Sequence, residues 1–257
     1  MKHCKTPLAL LLCAVLLLAP GATALARETT ATIWTEGFDS GMSGWTLLDL
    51  DGDGHNWVTS DKLGNSQGGL WENEGRGGGL ALTSFSYMRM GNVALTPDNV
   101  AVSPAIALPQ TSSISLSWWL KMFDVNPGSL GDTYAIYVYD GAEELTADNA
   151  AQLLTNPVHT EKLMADGMER DVYYNRTVDL TAYAGKTVRI VLRHFNSSNI
   201  YIVVLDDFSI SATTVEPDEV PPQVFEVKPA EEEQPGGEPA GDEPIDVEEA
   251  TEELMVR

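Results

Sequence analysis

Cysteine is almost missing from this chain. The 257 residues contain two, Cys4 and Cys13, so no disulfide framework can brace anything beyond the N-terminal segment. Stability must come from apolar packing or from bound metal. Basic residues are scarce as well: 15 Lys and Arg stand against 38 Asp and Glu, a net charge of −23. That balance argues against nucleic acid or an anionic membrane as a partner. No H-E-x-x-H pair occurs, and beyond Cys13 there is no thiol nucleophile, so no enzyme is expected. A membrane span of about 20 apolar residues is lacking too. The run from Leu8 to Leu18 is too short, and the protein is expected not to be transmembrane.

That run belongs to a different pattern. Lys2 and Lys5 precede it and Ala24-Leu25-Ala26 follows it, the basic start, apolar middle and small-x-small end of a secretory signal peptide over residues 1–26. The expected destination is the cell surface or the medium. Cys13 suggests a lipidated terminus instead, but Leu12 stands where a small residue belongs. At the other end, residues 215–257 are dominated by Glu, Asp and Pro, as in "EPDEVPPQ" and "PAEEEQPGGEPAGDEP". Such a segment repels itself and cannot bury a core, so a disordered acidic tail is expected, serving as linker or as binding tail.

Residues 27–214 remain as one domain. "ISLSWWLK" alternates Ile114, Leu116, Trp118 and Leu120 with Ser115, Ser117, Trp119 and Lys121, while "TYAIYVYD" and "VRIVLRHF" are rich in β-branched and aromatic residues. "NPGSLGD" and "AYAGK" punctuate the runs, and only "LTADNAAQLL" suggests a short helix. The class that fits is all-β, an antiparallel jelly-roll β-sandwich.

Two acidic groups stand out. In "DLDGDGHNW", Asp49, Asp51 and Asp53 occupy positions 1, 3 and 5 of a calcium loop, with Gly54 at the turn position and the His55 carbonyl as a further oxygen. Ser60 replaces the usual terminal glutamate and the flanks look like strands, so the loop belongs to a β scaffold. Its missing ligands are expected from elsewhere, with the carbonyls of Gly75–Gly79 as candidates. In "IYIVVLDDFSI", strict alternation puts Ile200, Ile202, Val204, Asp206, Phe208 and Ile210 on one face. An ionised Asp206 there needs a cation. Arg189 and Arg193 face away from Val188, Ile190 and Leu192, which points to calcium rather than arginine. Glu36 and Asp39 become co-ligands if the first and last strands are neighbours. The same alternation puts His194 on an apolar face, as a satisfied core histidine.

Taken together, "EGFDSGMSGWTLLDLDGDGHNW", "LTPDNVAVSPAIALP", "LSWW" and "AYAGKTVRIVLRHFNSSNIYIVVLDDFSI" resemble the cleaved-adhesin domain of gingipain proteases and haemagglutinins, over Trp34 to Ile210. The resemblance implies a galactose-binding-like jelly roll, similar in layout to MAM domains, that holds calcium and does no catalysis. Asp49, Asp51 and Asp53, with the His55 carbonyl, match one of the family's calcium sites. Asp39 and Asp206 or Asp207 match the other, with Glu36 beside them. The segment from Lys62 to Gly79 departs from the family pattern. The expected function is adhesion to host extracellular or cell-surface proteins or glycans, with Trp71, Trp119, Tyr137, Tyr173 and Tyr174 as candidate contacts. The alternative is a carbohydrate-binding or scaffolding accessory of a secreted hydrolase system.

Overall fold

The computed structural model describes residues 27–216. The signal-peptide reading and the tail from residue 217 onward lie outside the described residues. Within them the chain runs β1 (Arg27–Glu36), β2 (Thr46–Asp49), β3 (Val58–Thr59), β4 (Leu82–Phe85), β5 (Tyr87–Met88), β6 (Val93–Ala94), β7 (Asn99–Val102), β8 (Ile106–Ala107), β9 (Ser113–Met122), β10 (Thr133–Tyr139), β11 (His159–Lys162), β12 (Val172–Asp179), β13 (Thr187–Phe195) and β14 (Ile202–Glu216). Helix is confined to single turns, including α1 (Gly64–Gln67) and α2 (Ala150–Leu153); α2 falls inside the stretch expected to be helical. β14 continues two residues past the expected boundary at 214, because Val215 and Glu216 pair with Glu28 and Arg27 of β1.

Two antiparallel sheets form the jelly-roll sandwich. One has the order β12-β9-β14-β4-β3 with β1 also on β14, the other β11-β10-β13-β7-β2 with β8 on β13. The alternation in β9 explains the core. Ile114, Leu116, Trp118 and Leu120 are buried between the sheets, where they meet Ile136 of β10 and Ile190 and Leu192 of β13. The outer faces are covered as well. The α2 segment places Ala150 and Leu154 over Val100, Val191 and Tyr137, and the chain around α1 places Leu63 and Trp71 over Phe85, Ile202 and Val204.

In β14 the sequence reading needs a correction. Val203 and Leu205 face the core between the sheets, whereas Ile202 and Val204 face the outer cluster. Strict alternation fails because the register against β9 shifts between Asp206 and Ser209, with Asp207 at φ 46°. The extra residue of this β-bulge turns the strand over, so Phe208, Ile210 and Ala212 enter the core in place of their neighbours. β4 pairs with β14 up to Leu205 and β1 takes over at Phe208. The bulge therefore sits where one partner strand hands over to the next.

One open side of the sandwich is closed by charge. Arg176 of β12 grips Glu161 of β11 through two contacts, Nε to Oε2 at 2.9 Å and Nη2 to Oε1 at 2.6 Å, joining the edge strands of the two sheets. The Tyr134 hydroxyl donates to the same carboxylate at 2.8 Å. Burial favours the neutral acid, but His159, Arg176 and Tyr134 outweigh it and hold the Glu161 carboxyl down to about 2. A folded-state pKa below the ordinary carboxylate value stabilises the protein above that ordinary value and loses its effect as pH falls through the folded value. The stability gap between wild type and Glu161→Gln, measured by denaturant unfolding, is expected to be widest near neutral pH and to close between pH of about 4.5 and about 2. A gap unchanged over that range would remove the edge clamp from the account.

Candidate functional site

β2 ends on Asp49, paired opposite Asn99, and the acid loop starts there. Asp49 draws the loop round its own carboxylate: Oδ1 accepts the Gly52 N–H and Oδ2 the Gly54 N–H, both at 2.8 Å. Gly54 has φ +82°, which a residue with a side chain adopts only with strain. Asp53 Oδ1 accepts the His55 N–H at 2.8 Å, and the His55 ring rests against Phe85 with centroids 5.5 Å apart. Trp57, fully buried, anchors the exit by donating Nε1–H to the Asn99 carbonyl at 3.0 Å. As a result, Asp49, Asp51 and Asp53 each bring a carboxylate oxygen within 4.8 Å of the others.

Three like charges so close perturb one another. Burial first, then Asp49 and Asp53, pushes the Asp51 carboxyl up to about 6. Asp49 moves the other way: burial opposes its charge, but the Gly54 amide, a hydrogen bond with Asp51 and the Gly52 amide more than compensate. Each carboxylate oxygen has two lone pairs, so those amides leave coordinating capacity. An all-oxygen donor set on an open loop suits a hard cation.

Glu36, Asp39, Asp206 and Asp207 surround the β14 bulge, and β1 does lie beside β14, with Glu36 opposite Phe208. Their oxygens already have partners. Glu36 accepts the Phe38 N–H at 2.9 Å and Trp45 Nε1–H at 3.0 Å, and Asp39 Oδ1 accepts the Leu80 N–H at 2.9 Å. Asp206, 2% exposed, accepts the Arg76 and Asp207 amides at 2.7 Å each. Burial dominates, and its carboxyl is pushed up to about 7. Asp207 binds the Arg76 guanidinium at 2.9 Å, which also lies 3.9 Å above the Trp119 ring. Among the described residues, the aspartates at 49, 51 and 53 are the one group of three or more acids, histidines or cysteines gathered tightly enough to share an ion.

The glycine-rich segment is the second correction. Gly75–Gly79 packs at the β14 bulge and not against the Asp49 loop: Arg76 meets Asp206, and Leu80 meets Asp39. Nothing in sequence spacing ties residue 79 to residue 39. Gly79 has φ +81°, and a Cβ there would collide with Asp39 Oδ1.

Sequence reasoning missed one constellation altogether. His194 Nδ1 lies 2.8 Å from Ser84 Oγ and Nε2 lies 3.2 Å from Asp132 Oδ1. The order Ser-His-Asp resembles a hydrolytic triad, but Ser84, His194 and Asp132 are all at most 1% exposed, so no substrate reaches the hydroxyl. Asn99 Nδ2 donates to Ser84 and the Tyr201 N–H to Asp132. This is a polar network inside the core, and His194 is the satisfied core histidine expected. Among the candidate contact aromatics, Trp71 and Tyr137 are buried. Trp119 is half-buried under Arg76, and Tyr173 and Tyr174 are half-buried with their hydroxyls bonded to backbone groups.

The sandwich and its acid loop define an all-β, jelly-roll module. The chain belongs to the Cleaved Adhesin Domain family, which matches residues 31–210. Hemagglutinin A of Porphyromonas gingivalis is 33% identical over 199 residues, which is 72% of this chain and 7% of that protein. Lys-gingipain HG66 of the same organism is 31% identical over 191 residues, 70% of this chain and 10% of that protein. The chain thus matches only a small fraction of these relatives' length. Among solved structures, the K3 cleaved adhesin domain of Lys-gingipain from P. gingivalis has a TM-score of 0.56 at 26% identity, covering 71% of this chain and 99% of that one. The K1 domain has a TM-score of 0.55 at 28% identity, covering 72% and 98%.

Gly79→Ala tests the docking of the glycine-rich loop. Left-handed strain alone costs about 1–2 kcal/mol, and the collision with Asp39 adds to it. Chemical denaturation is expected to show a loss of about 2 kcal/mol or more, while Gly77→Ala, where a Cβ meets nothing, shows only the strain. Equal losses would mean that Gly79 does not approach Asp39.

Proposed function

We propose that this chain is a secreted or cell-surface, non-catalytic adhesion module that binds host proteins or glycans on a calcium-stiffened sandwich. The observation that carries the reading is the family match over 31–210, which spans nearly all of the described strands. No helix among the described residues is long and apolar enough to cross a membrane. Adhesion needs loops that hold their shape, and here much of the loop structure hangs on carboxylates rather than on disulfides.

Calcium fits the Asp49, Asp51 and Asp53 oxygens, and His55, held by its amide to Asp53, keeps its carbonyl available. The ion supplies positive charge that relieves the mutual repulsion of these carboxylates. Asp39, Asp206 and Asp207, with Glu36 beside them, form the second proposed site. Its acids retain lone pairs, but an ion there must share them with the Arg76 and Leu80 amides.

Calcium that binds only the folded form stabilises it by about 2.7 kcal/mol at a hundredfold excess over Kd. Its addition is therefore expected to raise the melting temperature, Asp51→Ala to abolish much of the rise, and Glu248→Ala in the acidic tail to leave it intact. Identical melting curves in calcium and in excess chelator would remove the metal from the reading. The adhesion role is tested by solid-phase binding of the purified chain to immobilised host matrix proteins and red-cell glycoproteins. Calcium-dependent retention is expected, and a chain that binds none of them is not an adhesin.

A further inference from the structure

A groove of about 680 Å3 opens beside the β5–β6 hairpin, and its lining, which shares no residue with either acid cluster, includes Trp71, Phe123, Tyr201, Arg89 and Arg170. Three aromatic rings form its wall, which presents mainly the half-buried Phe123, since Trp71 and Tyr201 are 6% and 8% exposed. Trp71 and Phe123 lie 4.7 Å apart at 30°, and Phe123 meets Tyr201 edge-on at 5.5 Å. The Trp71 Nε1–H is turned inward to the Gly68 carbonyl at 2.7 Å, which fixes the indole in the wall.

The groove holds two cations with little to neutralise them. Most cations elsewhere are spent on neighbouring carboxylates: Lys62, Arg76, Lys121, Arg176, Lys186 and Arg193 form ion pairs, whereas Arg27, Lys162 and Arg189 form none among the described residues. Arg89, exposed, has no ion pair among the described residues. Arg170 has only its neighbour Asp171 at 3.3 Å, with both side chains more than half exposed, a contact of little worth. The one acid in the lining, Asp124, is committed to its own turn: Oδ1 accepts from the Val125 and Asn126 amides and from Asn126 Nδ2, and Oδ2 accepts the Ser129 hydroxyl. An otherwise strongly acidic chain thus keeps two unspent guanidinium groups beside an aromatic wall.

We propose that this groove binds an anionic carbohydrate, with the aromatic wall against the apolar face of a sugar ring and Arg89 and Arg170 on its carboxylate or sulfate. This rests on the reading of the chain as a binding module and names the chemistry of its ligand. Guanidinium forks pair with such groups through two parallel hydrogen bonds, and rigid aromatics supply contact area at low entropic cost. A neutral sugar would leave both arginines without a role. An acidic peptide would satisfy the cations, but the wall is open and offers no closed apolar pocket of the kind that anchors a side chain.

The experiment uses the full chain in calcium and measures affinity by calorimetry for tri-galacturonate, 3′-sialyllactose, a sulfated disaccharide, neutral galactotriose and hexaglutamate. At least one acidic sugar is expected to bind tenfold or more tightly than galactotriose and hexaglutamate, and the one that binds identifies the source of the charge. Arg89→Gln with Arg170→Gln, both at exposed positions, is expected to lower that affinity at least tenfold with an unchanged melting temperature. Equal binding of the neutral sugar, equal binding of hexaglutamate, or an unaffected double variant overturns the proposal. A wild-type chain that holds matrix proteins yet ignores every acidic sugar overturns it too, while leaving the adhesion reading in place.

Discussion

The organisation of this domain depends on one carboxylate held inside it. Asp206 lies within the longest strand, almost wholly shielded from water, where an ionised group without partners costs several kcal/mol. The chain offsets part of that cost with backbone. The Arg76 and Asp207 amides point at the carboxylate, which requires both a bulge in β14 and a glycine-rich loop folded back from far away in sequence. The bulge in turn reverses which residues of β14 enter the core, and it marks the point where β1 replaces β4. An electrostatic demand at one residue thus sets the geometry of a strand, a loop and a sheet edge.

The same theme recurs elsewhere with different partners. Asp49 winds its loop round itself through the Gly52 and Gly54 amides, Glu161 and Arg176 close an edge of the sandwich, and Asp132 with His194 fills a sealed position in the core. In a domain with no disulfides these contacts take over the fixing of loops. They are directional, unlike apolar packing, so they specify conformation as well as adding stability. A surface with rigid loops and several unspent groups suits recognition, and membership of the Cleaved Adhesin Domain family agrees with that physical character.

The strands were legible because their signal is local. In β9 the alternation of Ile114, Leu116, Trp118 and Leu120 with polar neighbours follows directly from the two-residue repeat of a strand, and all four face the core. The Asp49 loop was legible for a similar reason, since its three acids are neighbours whose convergence needs only a turn. β14 misled because the repeat holds only while the strand is regular: one extra residue exchanged Ile202 and Val204 for Val203 and Leu205. Of the Ser84, His194 and Asp132 network only the buried histidine was legible, because its members come from three separate segments with no common spacing.

Composition and local pattern by themselves determined the all-β class, the dependence on carboxylates in place of disulfides, and the acid loop at Asp49, Asp51 and Asp53. These follow from residue chemistry and from periodicities of a few residues. Only the tertiary structure decided that Gly75–Gly79 serves Asp206 and not Asp49, that Arg76 sits between Asp207 and Trp119, and that Arg89 and Arg170 share a groove with Trp71, Phe123 and Tyr201. Those meetings join segments up to 131 residues apart. Their distances are set by how two twisted sheets stack, which no short stretch of sequence encodes.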